Sequence, residues 1–344
     1  MEKWKKKSRR LLLLLMLLIC TGAMLSTATY AWFTSNKVVS LKTINVQVEA
    51  QNGIQISTNG TTWKPAITND DILAGYSGSV NQLPLSLKPV STSGNIDSDG
   101  HLEMFYGDVK ASGDLFYLTA TKETDKAETV IDVDDPAYRT TGKYLAFDVF
   151  LKVNDDDGTP VYLTTSSGVT SNNVDLSDAP IKNATRIAFI TLGHKEDGAA
   201  LTDIQGLNAG ESSSLLIWEP NYNVHTTSAI THAKDTYNLE ITADQAKVPY
   251  DGIKAVISSD ANVLVGDANV TKYSNLFGTV NTDIATKAGT GFDTYQSLFT
   301  LQKGITKVRI YVWVEGQDVD CENNASGGDL NINLQISTNS EPSE

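Results

Sequence analysis

Four stretches of this chain alternate apolar and polar residues with a period of two, and that period leaves little choice of fold. Successive side chains on a β-strand point to opposite faces, so a row of apolar residues at every second position marks a strand with one face against a core. The first row is Ile44, Val46, Val48 and Ala50 against Asn45, Gln47 and Glu49, and Ile54 and Ile56 keep its parity beyond the turn at 51–53. The second is Leu145, Phe147, Val149, Leu151 and Val153, opposed by Ala146, Asp148, Phe150 and Lys152. Val308, Ile310, Val312 and Val314 make a third, and Leu330, Ile332, Leu334 and Ile336 a fourth against Asn331, Asn333 and Gln335. Rows of this kind predict antiparallel sheets packed as a sandwich, with each strand offering its other face to water or to a second layer.

The connections agree with that reading. The chain is rich in Thr, Ser, Asn, Val and Ile, and its Gly, Asn and Asp fall in connectors at 91–100, 154–159, 166–179 and 193–213. Helical spacing is confined to two short segments, 229–237 and 282–287. The third and fourth rows read as a strand pair joined by the acidic loop 315–329. No internal repeat and no Pro-rich linker divides the chain, which predicts one elaborated domain over 32–338 and a disordered tail at 339–344.

The N-terminus reads as an export signal. A basic stretch from Lys3 to Arg10 leads into an apolar run beginning at Leu11, and small residues follow up to Ala31. A cationic start, an apolar segment and a small-residue cleavage site are what a secretory signal requires. Cleavage between Ala31 and Trp32 leaves Thr29 at the minus-three position; cleavage after Ala28, and a retained membrane anchor over Leu11 to Phe33, are the alternatives. The expected location is secreted, extracellular or at the cell surface.

Removing residues 1–31 takes away four Lys, two Arg and one Glu, so the net charge of −14 becomes −19. A surface this acidic repels nucleic acid and anionic lipid and attracts divalent cations. Of the two cysteines, Cys20 lies in the signal, so Cys321 has no partner for an intramolecular disulfide and stability must come from a core. Glu315, Asp318, Asp320 and Glu322 surround Cys321 in sequence, which disfavours a thiolate and with it a nucleophilic role.

Catalytic motifs are missing. The chain has four histidines, His101, His194, His225 and His232, and none sits in a His-Glu-x-x-His helix. His225 and His232 are spaced to share a helix face, yet no carboxylate stands between them. Calcium is the better cofactor candidate. Asn95, Asp97 and Asp99 with Gly100 follow the opening of an EF-hand-like loop, although Tyr106 occupies the place of its closing Glu. Asp155 and Asp157 form a second group of hard oxygen ligands, and Glu315, Asp318 and Asp320 a third, while Asp and Asn beside Gly also simply make turns. Trp63 and Trp218 are candidates for stacking on a glycan, with an ordinary core tryptophan as the alternative.

The two ends of the chain carry a resemblance. The run Ala28-Thr29-Tyr30-Ala31-Trp32-Phe33-Thr34-Ser35-Asn36, followed by Ile44-Asn45-Val46-Gln47-Val48, is similar to the start of TasA and camelysin-like proteins of Gram-positive bacteria. Tyr311-Val312-Trp313-Val314-Glu315-Gly316 and Leu330-Asn331-Ile332-Asn333-Leu334 resemble their closing strands. The resemblance implies an all-β, jelly-roll-like antiparallel β-sandwich with long loop insertions and a few short helices. It also implies export through a dedicated signal peptidase and assembly into biofilm-matrix fibres. In such a fibre the arm 32–50, with Trp32, Phe33, Ile44, Val46 and Val48, would insert into the next copy, making the protein its own main partner; other matrix proteins or glycans are further partners. Two other functions stay open: a glycan-binding adhesin, and the metalloprotease activity ascribed to camelysin-like proteins.

Overall fold

The alternating rows become strands of facing sheets. A computed structural model describes residues 39–40, 44–50, 53–84, 86–87, 89–112, 115–123, 143–155, 158–171, 180–208, 213–237, 240–241, 250–253, 261–265, 277–280, 297–316, 318, 320–321 and 330–338. In chain order the strands are β1 (Val39–Ser40), β2 (Ile44–Ala50), β3 (Gln55–Ser57), β4 (Ala66–Ile67), β5 (Asn81–Gln82), β6 (Ser86–Leu87), β7 (Ser91–Ile96), β8 (Leu102–Ser112), β9 (Leu115–Glu123) and β10 (Leu145–Val153). They continue as β11 (Thr159–Leu163), β12 (Gly168–Thr170), β13 (Thr185–Lys195), β14 (Leu215–Trp218), β15 (Tyr250–Ile253), β16 (Ala261–Val265), β17 (Phe277–Val280), β18 (Phe299–Leu301), β19 (Gly304–Val314) and β20 (Leu330–Ser337). Among the described residues the helices are short: α1 (Asn69–Ala74), α2 (Pro180–Asn183), α3 (Leu201–Gln205) and α4 (Thr227–Tyr237). The expected helix at 229–237 is therefore present as α4, while 282–287 lies outside the described residues.

The first sheet runs β14-β13-β19-β10-β3, with β5 beside β3 on the same flank of β10. The second runs β18-β11-β20-β2-β4, with β12 also on β20. Their apolar rows meet in one core: Phe147, Val149, Leu151, Ile187, Phe189, Ile310 and Val312 from the first sheet face Val161, Leu163, Leu301, Ile332, Leu334 and Ile336 from the second. Burial of such side chains contributes about 1.5–3 kcal/mol each before the entropy of ordering them is subtracted. This is an all-β antiparallel sandwich.

One feature departs from the sequence expectation. The third and fourth rows do not pair with each other: β19 lies in the first sheet and β20 in the second, so the chain crosses the sandwich between them. A long connection can span the two layers, whereas adjacent pairing calls for a tight turn that this Gly- and Asn-rich loop does not impose. Of the two alternatives for the other face of each strand, water or a second layer, the first sheet takes the second: it is buried on both faces, and all 11 residues of β19 are buried. Its outer face carries Tyr144, Ala146, Ala188, Ile190, Tyr311 and Trp313, which pack against Leu102, Met104 and Ile96 from β7 and β8. Those strands belong to a four-stranded sheet, β16-β9-β8-β7, that lies over the sandwich as a third layer.

One glycine is dictated by packing. At Gly304, where β19 begins, φ is +113°, and a methyl group would run into the carbonyl oxygen of Lys195 on the neighbouring strand.

The first row, β2, is a strand of its own chain. It pairs in parallel with β20, Ile44 opposite Leu330, Val46 opposite Ile332 and Val48 opposite Leu334. On its other side β4 meets only Val48 and Glu49. Every other pairing of the two main sheets is antiparallel. Trp32, Phe33 and the Ala31 cleavage point lie outside the described residues.

Candidate functional site

The densest chemistry gathers where the chain leaves β19. Arg186, on β13 opposite Trp313, is 0% exposed; its Nη2 donates to Glu219 Oε1 at 2.9 Å and to Asp318 Oδ2. Its Nη1 donates to the carbonyls of Asn183 and Thr185 at 3.1 and 3.3 Å. Asp318 Oδ1 accepts the Asp320 amide at 2.7 Å. Asp320 in turn receives the Thr226 amide at 2.9 Å and pairs with His225 Nδ1 at 2.8 Å. Glu315 accepts Trp313 Nε1 at 3.0 Å. Thr226 caps α4 by accepting the Ala229 amide at 3.0 Å.

Sequence spacing brought Glu315, Asp318 and Asp320 together as candidate calcium ligands, and the structure does cluster them. Their partners are donors of the protein itself: the guanidinium of Arg186, the imidazole of His225, an indole and backbone amides. Burial, then Asp320 and Glu219, push the Asp318 carboxyl up to about 6 against the opposing pull of Arg186. Burial and the charges of Asp318 and Glu315 also raise the Cys321 thiol well above its ordinary value, which makes it a poor nucleophile, as its sequence neighbours implied.

A second buried network lies on the outer face of the first sheet. Arg309 Nε reaches Asp148 Oδ1 at 2.7 Å and Lys307 Nζ stands 3.4 Å from Oδ2. Asp148 also accepts the Val80 amide at 3.2 Å. Burial alone would raise the Asp148 carboxyl, but Arg309 and Lys307 hold it below its ordinary value. Lys307 Nζ also donates to the carbonyls of Gln205 and Leu207 at 3.0 and 3.1 Å, closing the end of α3, and burial lowers its own value.

Arg309 also explains the EF-hand-like loop. Its Nη1 donates to the carbonyls of Asp99 and Gly100 at 3.4 and 3.1 Å, so a guanidinium faces those oxygens. Asp97 Oδ1 accepts the amides of Asp99 and His101, both at 2.9 Å, which is turn chemistry. Asn95 Nδ2 lies 3.5 Å from Glu103. Asp155 is exposed, and Asp157 lies outside the described residues. Among the described residues no three His, Cys, Asp or Glu side chains are arranged to hold a metal ion.

The two tryptophans part company. Trp218 is 1% exposed and belongs to the main core, so it presents no face to a sugar and the stacking expectation is corrected there. Its place on β14, opposite Ile187 on β13, turns the ring inward. Trp63 is half-buried against Phe150, Ile204 and Ile305, with the Lys152 ammonium 5.7 Å from its ring centroid. The histidines do not converge either. His225 precedes α4 and is buried against Asp320, whereas His232 lies within that helix, so the expected shared face does not form. His194 contacts the Lys303 carbonyl and His101 lies beside Arg309.

Sequence reasoning missed Arg186, Glu219, Asp148, Lys307 and Arg309. One signal pointed to the last three: the other row of β19 runs from Lys307 and Arg309 to Tyr311 and Trp313, and aromatics of that size beside alternate charges mark a second buried face. Comparison with protein-family models, with curated proteins and with solved structures found no match.

Proposed function

We propose that this chain is an exported structural subunit of the cell surface or extracellular matrix, assembling through its N-terminal strand. The observation that carries the reading is the position of β2. It is an early strand, separated from the proposed export segment by a short stretch that includes β1, and it is held by a parallel ladder to β20 with, among the described residues, only a two-residue partner on its other side. A strand at a chain end can be exchanged between copies without threading, because an identical segment from a neighbour offers the same main-chain hydrogen bonds and the same alternating side chains. Repetition of that exchange is head-to-tail and builds a filament. The resemblance of the ends to TasA and camelysin-like proteins favours the same reading, and the buried position of the charge clusters favours a structural role for them.

Processed protein beginning at Trp32 is expected to form filaments visible by electron microscopy. Protein lacking residues 32–50 is expected to form none, and to gain thermal stability when a synthetic peptide of those residues is added. Filaments of unchanged length and number from the truncated protein would remove the proposal.

A further inference from the structure

The two main sheets differ in what lies over them. The outer face of the first is closed by residues of β7 and β8, whereas the outer face of the second reaches water. Along β20 the buried Leu330, Ile332 and Leu334 alternate with the half-exposed Asn331, Asn333 and Gln335. On one flank of that row β12 sets the exposed Thr170 opposite Asn331 and Gly168 opposite Asn333, and β11 adds the half-exposed Tyr162. On the other flank β2 places Asn45 and Gln47 in register with Asn331 and Asn333. A row of carboxamides therefore occupies the middle of the face, and Gly168 adds no side chain beside it.

Its charge sets this face apart. Among the outward positions of β11, β12 and β20, and the β2 residues in register with β20, Glu49 is the one charged residue. About a quarter to a third of an ordinary solvated surface is charged, and this chain as a whole carries −14. A nearly neutral face on so acidic a protein attracts neither a polyanion nor a polycation. It matches hydroxyls instead: a carboxamide both donates and accepts, as a hydroxyl does, and the Tyr162 ring offers an apolar surface for the C–H face of a sugar. Asn333 adds a second observation. Its Nδ2 donates to the Ser166 carbonyl at 2.8 Å, while its Oδ1 is covered and has no hydrogen-bond partner. A small turn of that amide brings the acceptor to a hydroxyl laid over the row, and an unmet acceptor gains most from such a bond.

We propose that the outer face of the second sheet binds a neutral polysaccharide, its chain lying along Asn331, Asn333 and Gln335 with Tyr162 against a sugar ring. Successive carboxamides on one strand stand about 7 Å apart, so an extended polymer meets several of them at once. They are carried by a central strand of the sheet, which leaves little backbone to be ordered on binding. The site does not depend on strand exchange, because the face has the same composition whether β2 belongs to the same copy or to a neighbour.

Biolayer interferometry of the purified protein on immobilised neutral β-glucan, xylan and galactomannan, with alginate as the anionic contrast, tests this. Retention on at least one neutral polymer is expected, unchanged between about 0.05 and about 0.5 M NaCl because no ion pair is involved. Tyr162→Ala and Asn333→Ala are each expected to weaken it about tenfold, and Trp63→Ala to leave it unchanged. Asn333 also holds the Ser166 carbonyl, so Thr170→Arg serves beside it: at an exposed position it crowds the row without touching the core, and it is expected to weaken binding to the same degree. Filament formation is a separate readout, so this proposal and strand exchange can fail independently. The proposal is overturned by retention on none of the neutral polymers, by retention on alginate alone, by binding that falls only with Trp63→Ala, or by binding at full strength in Tyr162→Ala and Thr170→Arg.

Discussion

Replacing Arg309 with methionine is expected to cost about 3–5 kcal/mol, because it strips Asp148 of its main counter-charge in a place without water. Lys307 remains at 3.4 Å, but its ammonium is already shared with the carbonyls of Gln205 and Leu207 and cannot turn fully to the carboxylate. The loss also frees the turn at 97–101, whose carbonyls Arg309 now holds. Urea denaturation measures the effect, and Asp148→Asn in the same background should recover part of it, since the neutral amide no longer demands a cation. The pH dependence gives an independent check. Asp148 lies below its ordinary value when folded, so it contributes stability above the normal carboxylate range that is lost as pH falls through it; the Arg309→Met protein should show a shallower acid loss. A cost under about 1 kcal/mol would mean that the pair does not hold the layers together.

Trp218→Ala is expected to be as severe, about 3–5 kcal/mol, through the void left in the main core between the sheets. Trp63→Ala should cost about 1 kcal/mol, since that ring is half-buried and its contact with Lys152 is of the weaker, solvent-facing kind. Thermal or urea unfolding of the two variants side by side separates a core tryptophan from a surface one. If binding to a carbohydrate array were ever observed, only the Trp63 variant could report on it, because the Trp218 variant would lose binding by losing its fold.

The period-two rows of β2, β10, β19 and β20 were legible in the sequence because each has one face made only of aliphatic and aromatic side chains. Which strand lies beside which was not. Alternation states what a strand buries and is silent on its neighbour, so Val308–Val314 and Leu330–Ile336 read as a hairpin although the core separates them. The site was legible only in composition. Glu315, Asp318 and Asp320 stand out as a group, but their partners Arg186, Glu219 and His225 come from distant strands and loops, and a lone charge within an otherwise apolar strand gives no hint of what it meets. Asp148 and Arg309 are opposite each other in register, a pairing visible only once β10 and β19 are known to be neighbours.

The parallel ladder between β2 and β20 also fixes an order of events. A growing chain emits β2 among its first strands and the residues that bond to it, Leu330 to Ile336, among its last. Until those have been made, the middle of the second sheet has no central pair, and nearly the whole chain must be brought back on itself to supply one. Contacts between such distant positions form slowly. The middle of this protein is therefore made before that ladder exists, and β2 gains its parallel partner only once β20 has been synthesised.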